Sequence, residues 1–141
     1  MEGYNAKVLH PDEIHANWGV LLPLLKNLEP RDWNGTYAKL LTGECKAILV
    51  EYESEAAVAI ITIGKHGGTD GFNTCFIDVL AASKGITGLE PFKAMLDKIC
   101  VVARKAGCDG IIGDTPNKRL SELAKQLGFN VTPMFKLGRY I

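Results

Sequence analysis

The chain has 141 residues, 47% hydrophobic and 23% charged, the make-up of a globular protein long enough to bury a core. Lys plus Arg and Asp plus Glu both number 16, so the formal net charge is zero and nothing electrostatic points to nucleic acid or an anionic membrane. The longest nearly continuous apolar run, Ala56 to Ile63, falls far short of the ~20 residues of a bilayer span, and MEGYNAKVLH has neither the basic flank nor the apolar centre of an export signal.

In chain order, Pro11 to Leu25 predicts a helix. Pro11 suits a first helical position, Asp12 and Glu13 complement the positive end of the dipole, and Ile14, Trp18, Leu21, Leu22 and Leu25 recur at helical spacing. Pro23 predicts a break or kink near its end. A second helix is expected over Arg31 to Thr42, with Trp33, Tyr37, Leu40 and Leu41 on one face and Gly43 as its stop. The pattern then turns β. KAILVEYE (Lys46 to Glu53) and AVAIITI (Ala57 to Ile63) read as two strands about a hairpin turn apart. KHGGTDG is a loop by composition, and FNTCFIDVL (Phe72 to Leu80) is a third strand.

The second half alternates. Pro91 to Ala106 carries the stripe Phe92, Met95, Leu96, Ile99, Val102, Ala103 and Ala106, with Arg104 and Lys105 at the negative end and Gly107 after it. DGIIG (Asp109 to Gly113) is a short buried strand, and strand, helix, strand predicts a right-handed parallel crossover. Thr115 as N-cap and Pro116 as first residue open a helix that runs to Leu127 and buries Leu120, Leu123, Ala124 and Leu127. Gly128 suits the left-handed stop, and Phe129 turns into the core and begins a last strand to about Leu137. Pro133 places that strand at an edge or a bulge. No linker or repeat divides residues 1–141, so a single domain is expected.

The four cysteines, Cys45, Cys75, Cys100 and Cys108, form no C-x-x-C pair, and His10, His15 and His66 do not group with them. No metal site is expected; free thiols in a reducing cytoplasm fit the pattern. Asp78, Glu51 and Glu53 are candidate bases on strands, although for each of them a solvated strand residue or a salt-bridge partner is the plainer role. Cys75 shares a strand with Asp78, but a nucleophilic thiol needs a base beside it. Tyr4, Tyr37, Tyr52 and Tyr140 are candidate acids if the fold brings one to a cleft.

The order α-α-β-β-β-α-β-α-β, a mixed-sheet α/β pattern, resembles the GNAT family of acyl-CoA N-acyltransferases. The likeness is greatest from Cys75 to Phe129, where Asn117 and Leu127-Gly128-Phe129 stand at the family's usual separation and Ala106-Gly107-Cys108 precedes DGII. The chain is also similar to small GNAT-like proteins of bacteriophages, which keep this tail and lose the catalytic signature. The resemblance implies acetyl-CoA, with its pyrophosphate on free N–H groups at the start of the long helix. Val79 then matches the strand-ending Val of the family and Lys84 the usual Arg. The resemblance thus implies contacts at Val79, Leu80, Lys84, Gly85, Thr87, Gly88 and Asn117. Departures stand beside these matches. Thr87 and Leu89 occupy small-residue positions, Gly85 and Gly88 are out of register, Glu90 adds a negative charge, and Thr87 with Glu90 also suits a capping box. Ala124 stands where many members have a Tyr acid. Two readings follow. The first is an acetyl-CoA-dependent N-acetyltransferase acting on a small-molecule or protein amine in the cytoplasm. The second is a GNAT-fold binding or structural protein without catalysis, a phage virion component held by a protein partner.

Overall fold

Strands Lys46–Tyr52 (β2), Glu55–His66 (β3) and Phe72–Ala82 (β4) form an antiparallel meander, because each has alternating residues to bury on two sides. The structure is a computed structural model and describes residues 4–66, 72–83, 89–114 and 118–131. Tyr52 pairs with Glu55, so Glu53 and Ser54 make a two-residue turn, with Glu53 at φ +55°.

A strand that the sequence pattern does not announce, Asn5–Leu9 (β1), pairs antiparallel with β2, Leu9 opposite Ala47. NAKVL is too short to carry a period, and only its partner makes it a strand. On the other side Gly110–Gly113 (β5) runs parallel to β4, with Thr74 opposite Gly110 and Ile77 opposite Gly113. The helix Leu89–Lys105 (α3) crosses between them, as the strand-helix-strand order predicts. The five-stranded sheet has the order β1-β2-β3-β4-β5. Across the described residues the expected order therefore holds from the first helix to the helix after β5, with one more strand ahead of it.

Helices Ile14–Leu28 (α1) and Asn34–Thr42 (α2) cover one face of the sheet. Ile14, Leu21, Leu24, Leu25 and Leu40 meet Ala47, Leu49, Val58, Ile60 and Ala81 there. Pro11–Glu13, expected as the first turn of α1, is a 3-10 turn closed by the Glu13 N–H on the His10 carbonyl at 2.8 Å. Pro23 lies inside α1, which runs on to Leu28, beyond the Leu25 end expected from the sequence. Its missing N–H and its ring cost a helix interior about 3 kcal/mol, but Leu21, Leu24 and Leu25 are buried on either side of it and hold the helix to the sheet. α2 begins at Asn34, later than predicted, because the Asp32 carboxylate accepts the Asn34 N–H at 2.8 Å and turns the chain there.

On the opposite face α3 buries Met95, Leu96, Ile99 and Ala103 against Ile48, Val50, Ala59, Ile61 and Cys75. The helix Lys118–Gln126 (α4) buries Leu123, and Leu127 and Phe129 pack against the α3-side cluster. Gly128, at φ +95°, closes α4 as expected: the Gly128 N–H bonds the Lys125 carbonyl at 3.1 Å and the Phe129 N–H that of Ala124 at 3.0 Å. The last strand, expected to begin at Phe129, does not begin there: Phe129, Asn130 and Val131 belong to no strand. Its remainder to Leu137, and the N-cap expected of Thr115, lie outside the described residues.

Candidate functional site

β5 accompanies β4 only as far as Ile77, while β4 runs on to Ala82. The two parallel strands therefore fork. At the final shared rung Gly113 faces Ile77 so closely that an added Cβ would lie 3.3 Å from the Ile77 Cβ, a contact that would press the two strands apart by a few tenths of an ångström.

The fork coincides with a bulge. Ile60 pairs with Val79 and Ile61 with Ile77, which leaves Asp78 as an extra residue on β4. A bulge frees its residue from the ladder and re-aims the side chain. The Asp78 carboxylate is exposed and accepts a hydrogen bond from the Thr62 hydroxyl across the β3–β4 pair. Thr62 alternates with Val58 and Ile60, so this bond lies on the α1–α2 face. Cys45, buried in the same cluster, has its thiol pushed up by burial first and by the Asp78 carboxylate second.

Beyond the bulge the outer edge of β4 meets no partner strand among the described residues. The Ser83 N–H bonds the Ala56 carbonyl at 2.9 Å, so the positions turned toward β3 are Ser83, Ala81 and Val79. By ladder alternation, Leu80 and Ala82 turn their backbone N–H and C=O groups toward the β5 side. No strand among the described residues pairs with that edge. Ser83 itself is tied down: its hydroxyl donates to the Glu55 carboxylate and accepts the Ala56 N–H at 3.1 Å. This anchors the end of β4 where the chain enters the segment leading to α3.

A cleft of about 210 Å³ opens at the fork, lined by Phe76, Ile77, Asp78, Ile112, Gly113 and Asp114. It combines apolar walls with two carboxylates, and none of these residues is cationic. Ile112 is an apolar wall left 43% exposed.

The sequence candidates separate clearly on this frame. Of the three bases, only Asp78 reaches the fork. Glu51 pairs with Lys7 at 3.6 Å on the far strands β1 and β2, and Glu53 sits in the β2–β3 turn. Tyr4 and Tyr52 pack together at 5.1 Å at the same far side of the sheet. Tyr37 hydrogen-bonds the Nδ1 of His15 at 2.9 Å on the α1–α2 side, and Tyr140 lies outside the described residues. Cys75 is fully buried against α3, and burial, ahead of neighbouring thiols and Asp78, raises its pKa to about 11. It is protonated at neutral pH and is no nucleophile. Val79 and Leu80 lie on β4 past the bulge, Val79 toward α1 and Leu80 toward α3. Lys84, Gly85, Thr87, Gly88 and Asn117 lie outside the described residues, while Leu89 and Glu90 begin α3. Neither Thr62 nor Asp114 stands out in the sequence. The signal available for the bulge is a phase change in FNTCFIDVL, and the burial of both faces of β4 masks it.

No family model and no curated relative matches the chain. Solved structures do. The aminoglycoside N-acetyltransferase AAC(6')-Iy, in complex with the bisubstrate analogue CoA-S-monomethyl-acetylneamine, is 18% identical with a TM-score of 0.73 over 98% of each chain. The ribosomal-protein-alanine N-acetyltransferase of Brucella melitensis biovar Abortus 2308 is 14% identical, with a TM-score of 0.70 over 97% of this chain and 99% of that one. An acetyltransferase of Trypanosoma brucei is 16% identical, with a TM-score of 0.68 over 97% and 99%. The chain has the GNAT fold. At such identities the likeness shows the fold, and the site must argue the chemistry.

Proposed function

We propose that the protein is an acetyl-CoA-dependent N-acetyltransferase whose acceptor is an amine that arrives as an ammonium. The observation that carries this reading is the fork at Ile77 and Gly113, with a carboxylate on a bulge at its apex and, among the described residues, no strand on the β4 edge beyond it. The residues present fit acetyl-CoA. Its extended arm carries amides, and the N–H and C=O groups of Leu80 and Ala82 offer them a strand edge. Its pyrophosphate suits the start of α3, with Lys84 and the 85–88 segment as the positions implied by the sequence. Bound there, acetyl-CoA would supply the acetyl group, which its thioester gives up to the amine nitrogen with release of the CoA thiol.

The protein's own part is to collect, orient and deprotonate the amine. Asp78 and Asp114 give the cleft a negative lining that attracts an ammonium, and Phe76, Ile77 and Ile112 take its carbon stem. An ammonium has no lone pair to attack with, so a base must take its proton. Asp78 is that base, with its carboxylate free of the ladder and open to the cleft. Ala124 has no proton to give, so the acid step is left to solvent. The four free thiols suit work in a reducing cytoplasm.

Ala124 and the acidic Glu90 at the start of α3 are what favour the second reading, a non-catalytic GNAT-fold part of a phage particle. Titration calorimetry with acetyl-CoA separates the two. The enzyme reading expects saturable binding that Lys84→Glu abolishes. No heat at saturating acetyl-CoA would remove it. Equal binding by both proteins would keep the enzyme and discard Lys84 as the phosphate contact.

A further inference from the structure

We infer that Thr62 is the positioning residue for the Asp78 carboxylate, holding one of its oxygens so that the other faces the amine. The inference rests on the proposed function of the fork and adds to it a residue on a different strand. Its basis is the geometry of the bulge. Asp78 gains freedom from the ladder, and freedom is what a base cannot have if it is to meet a proton at hydrogen-bond distance. Thr62 pairs with Phe76, the second rung from the bulge, which places its hydroxyl diagonally beneath Asp78. The Thr62 hydroxyl donates to Oδ2 of Asp78. Oδ1 is left for the cleft. Threonine is well suited to this task, because a β-branched side chain on a strand has few χ1 choices and its hydroxyl is held in place. Thr62 belongs to β3, the central strand of the sheet, and its neighbour Ile61 is paired on both sides, with Lys46 of β2 and Ile77 of β4. The donor thus sits on a strand held from both edges, while the acceptor is the one bulged residue of β4. Thr62 does not line the cleft, so it acts on the amine only through Asp78.

The test is a cycle of Thr62→Val, Thr62→Ser, Asp78→Asn and the Thr62→Val/Asp78→Asn double variant. Release of CoA from acetyl-CoA is followed with a panel of simple primary amines, butylamine and 1,4-diaminobutane among them. Thr62→Val keeps the shape of the side chain and removes the hydroxyl. Its kcat should fall about tenfold, a part of what a general base contributes. Its KM for acetyl-CoA should not move. Thr62→Ser, which keeps the donor, should restore most of kcat. In the Asp78→Asn background Thr62→Val should cost nothing further, because a residue that acts through another loses its effect when the other is gone. Additive losses would overturn the inference, as would full kcat in Thr62→Val. Should Thr62→Val fail to fold, Thr62→Ala with the same cycle gives the same decision. A parent protein that releases no CoA with any amine of the panel overturns the proposed function and this inference with it, whereas an active parent with an indifferent Thr62 overturns the inference alone.

Discussion

Ile77 and Leu80 stand three residues apart on β4, yet both pack toward α3. A regular strand would send them to opposite faces. The extra residue between them, Asp78, absorbs the difference, so that Val79 faces α1 with Ala81 and Leu80 returns to the α3 side. The bulge therefore takes up the extra residue without putting either face of the sheet out of phase, and it turns a carboxylate out at the fork.

Deletion of Asp78 should then leave a folded protein without a site. Removing the extra residue joins Ile77 directly to Val79 and restores plain alternation, with the pairs Ile60 to Val79 and Ile61 to Ile77 both kept. The melting temperature should stay within a few degrees of the parent, while CoA release with amines falls to background. An unfolded deletion variant would show that the bulge is not a single removable residue.

Cys75 predicts an alkaline loss of stability. Its buried thiol is raised from 9.0 to about 11 in the native state. The unfolded chain ionises this thiol first, so above about pH 9 it binds fewer protons than the native state, and stability falls as pH rises through about 11. Below about pH 9 the contribution is fully present. Urea midpoints measured across this range should fall less steeply in Cys75→Ala than in the parent. Parallel slopes would mean that Cys75 ionises freely in the native protein.

Gly128 isolates backbone strain from steric clash. Its φ is +95°, and a Cβ built there meets nothing within 4 Å. Gly128→Val should cost about 1–2 kcal/mol through backbone conformation alone, and Gly128→Asn less, because Asn tolerates the left-handed region. Equal losses in the two variants by chemical denaturation would contradict a conformational origin.

Phe129 is half-buried and packs against the α3-side cluster. Phe129→Ala should destabilise by about 2 kcal/mol, the scale of apolar area removed from a partly covered aromatic, and Phe129→Leu should recover more than half of it. A Phe129→Ala protein with the parent's denaturation midpoint would show that the ring contributes no packing.

Local rules sufficed for the elements whose causes are local. The α3 stripe from Met95 to Ala103 has its helical period written into neighbouring residues, Gly128 stops α4 because of its own φ, and strand-helix-strand allows one hand of crossover. The resemblance in the tail added the fold, and the solved structures bear it out. Asp78 was legible as a carboxylate on a strand, one of three, with nothing in the sequence to rank it above Glu51 or Glu53. What ranked it was register, which belongs to a pair of strands: only the alignment of β3 with β4 makes Asp78 the unpaired residue and sets Thr62 beside it. β1 became a strand for the same reason, through β2, and α1 passed Pro23 because buried leucines on both sides outweigh one lost hydrogen bond. Helices, crossover and the available side-chain chemistry thus follow from residues close together in the chain. The choice of the carboxylate that stands at the fork does not, because long-range pairing, unlike helical period, leaves no mark on the residues nearby.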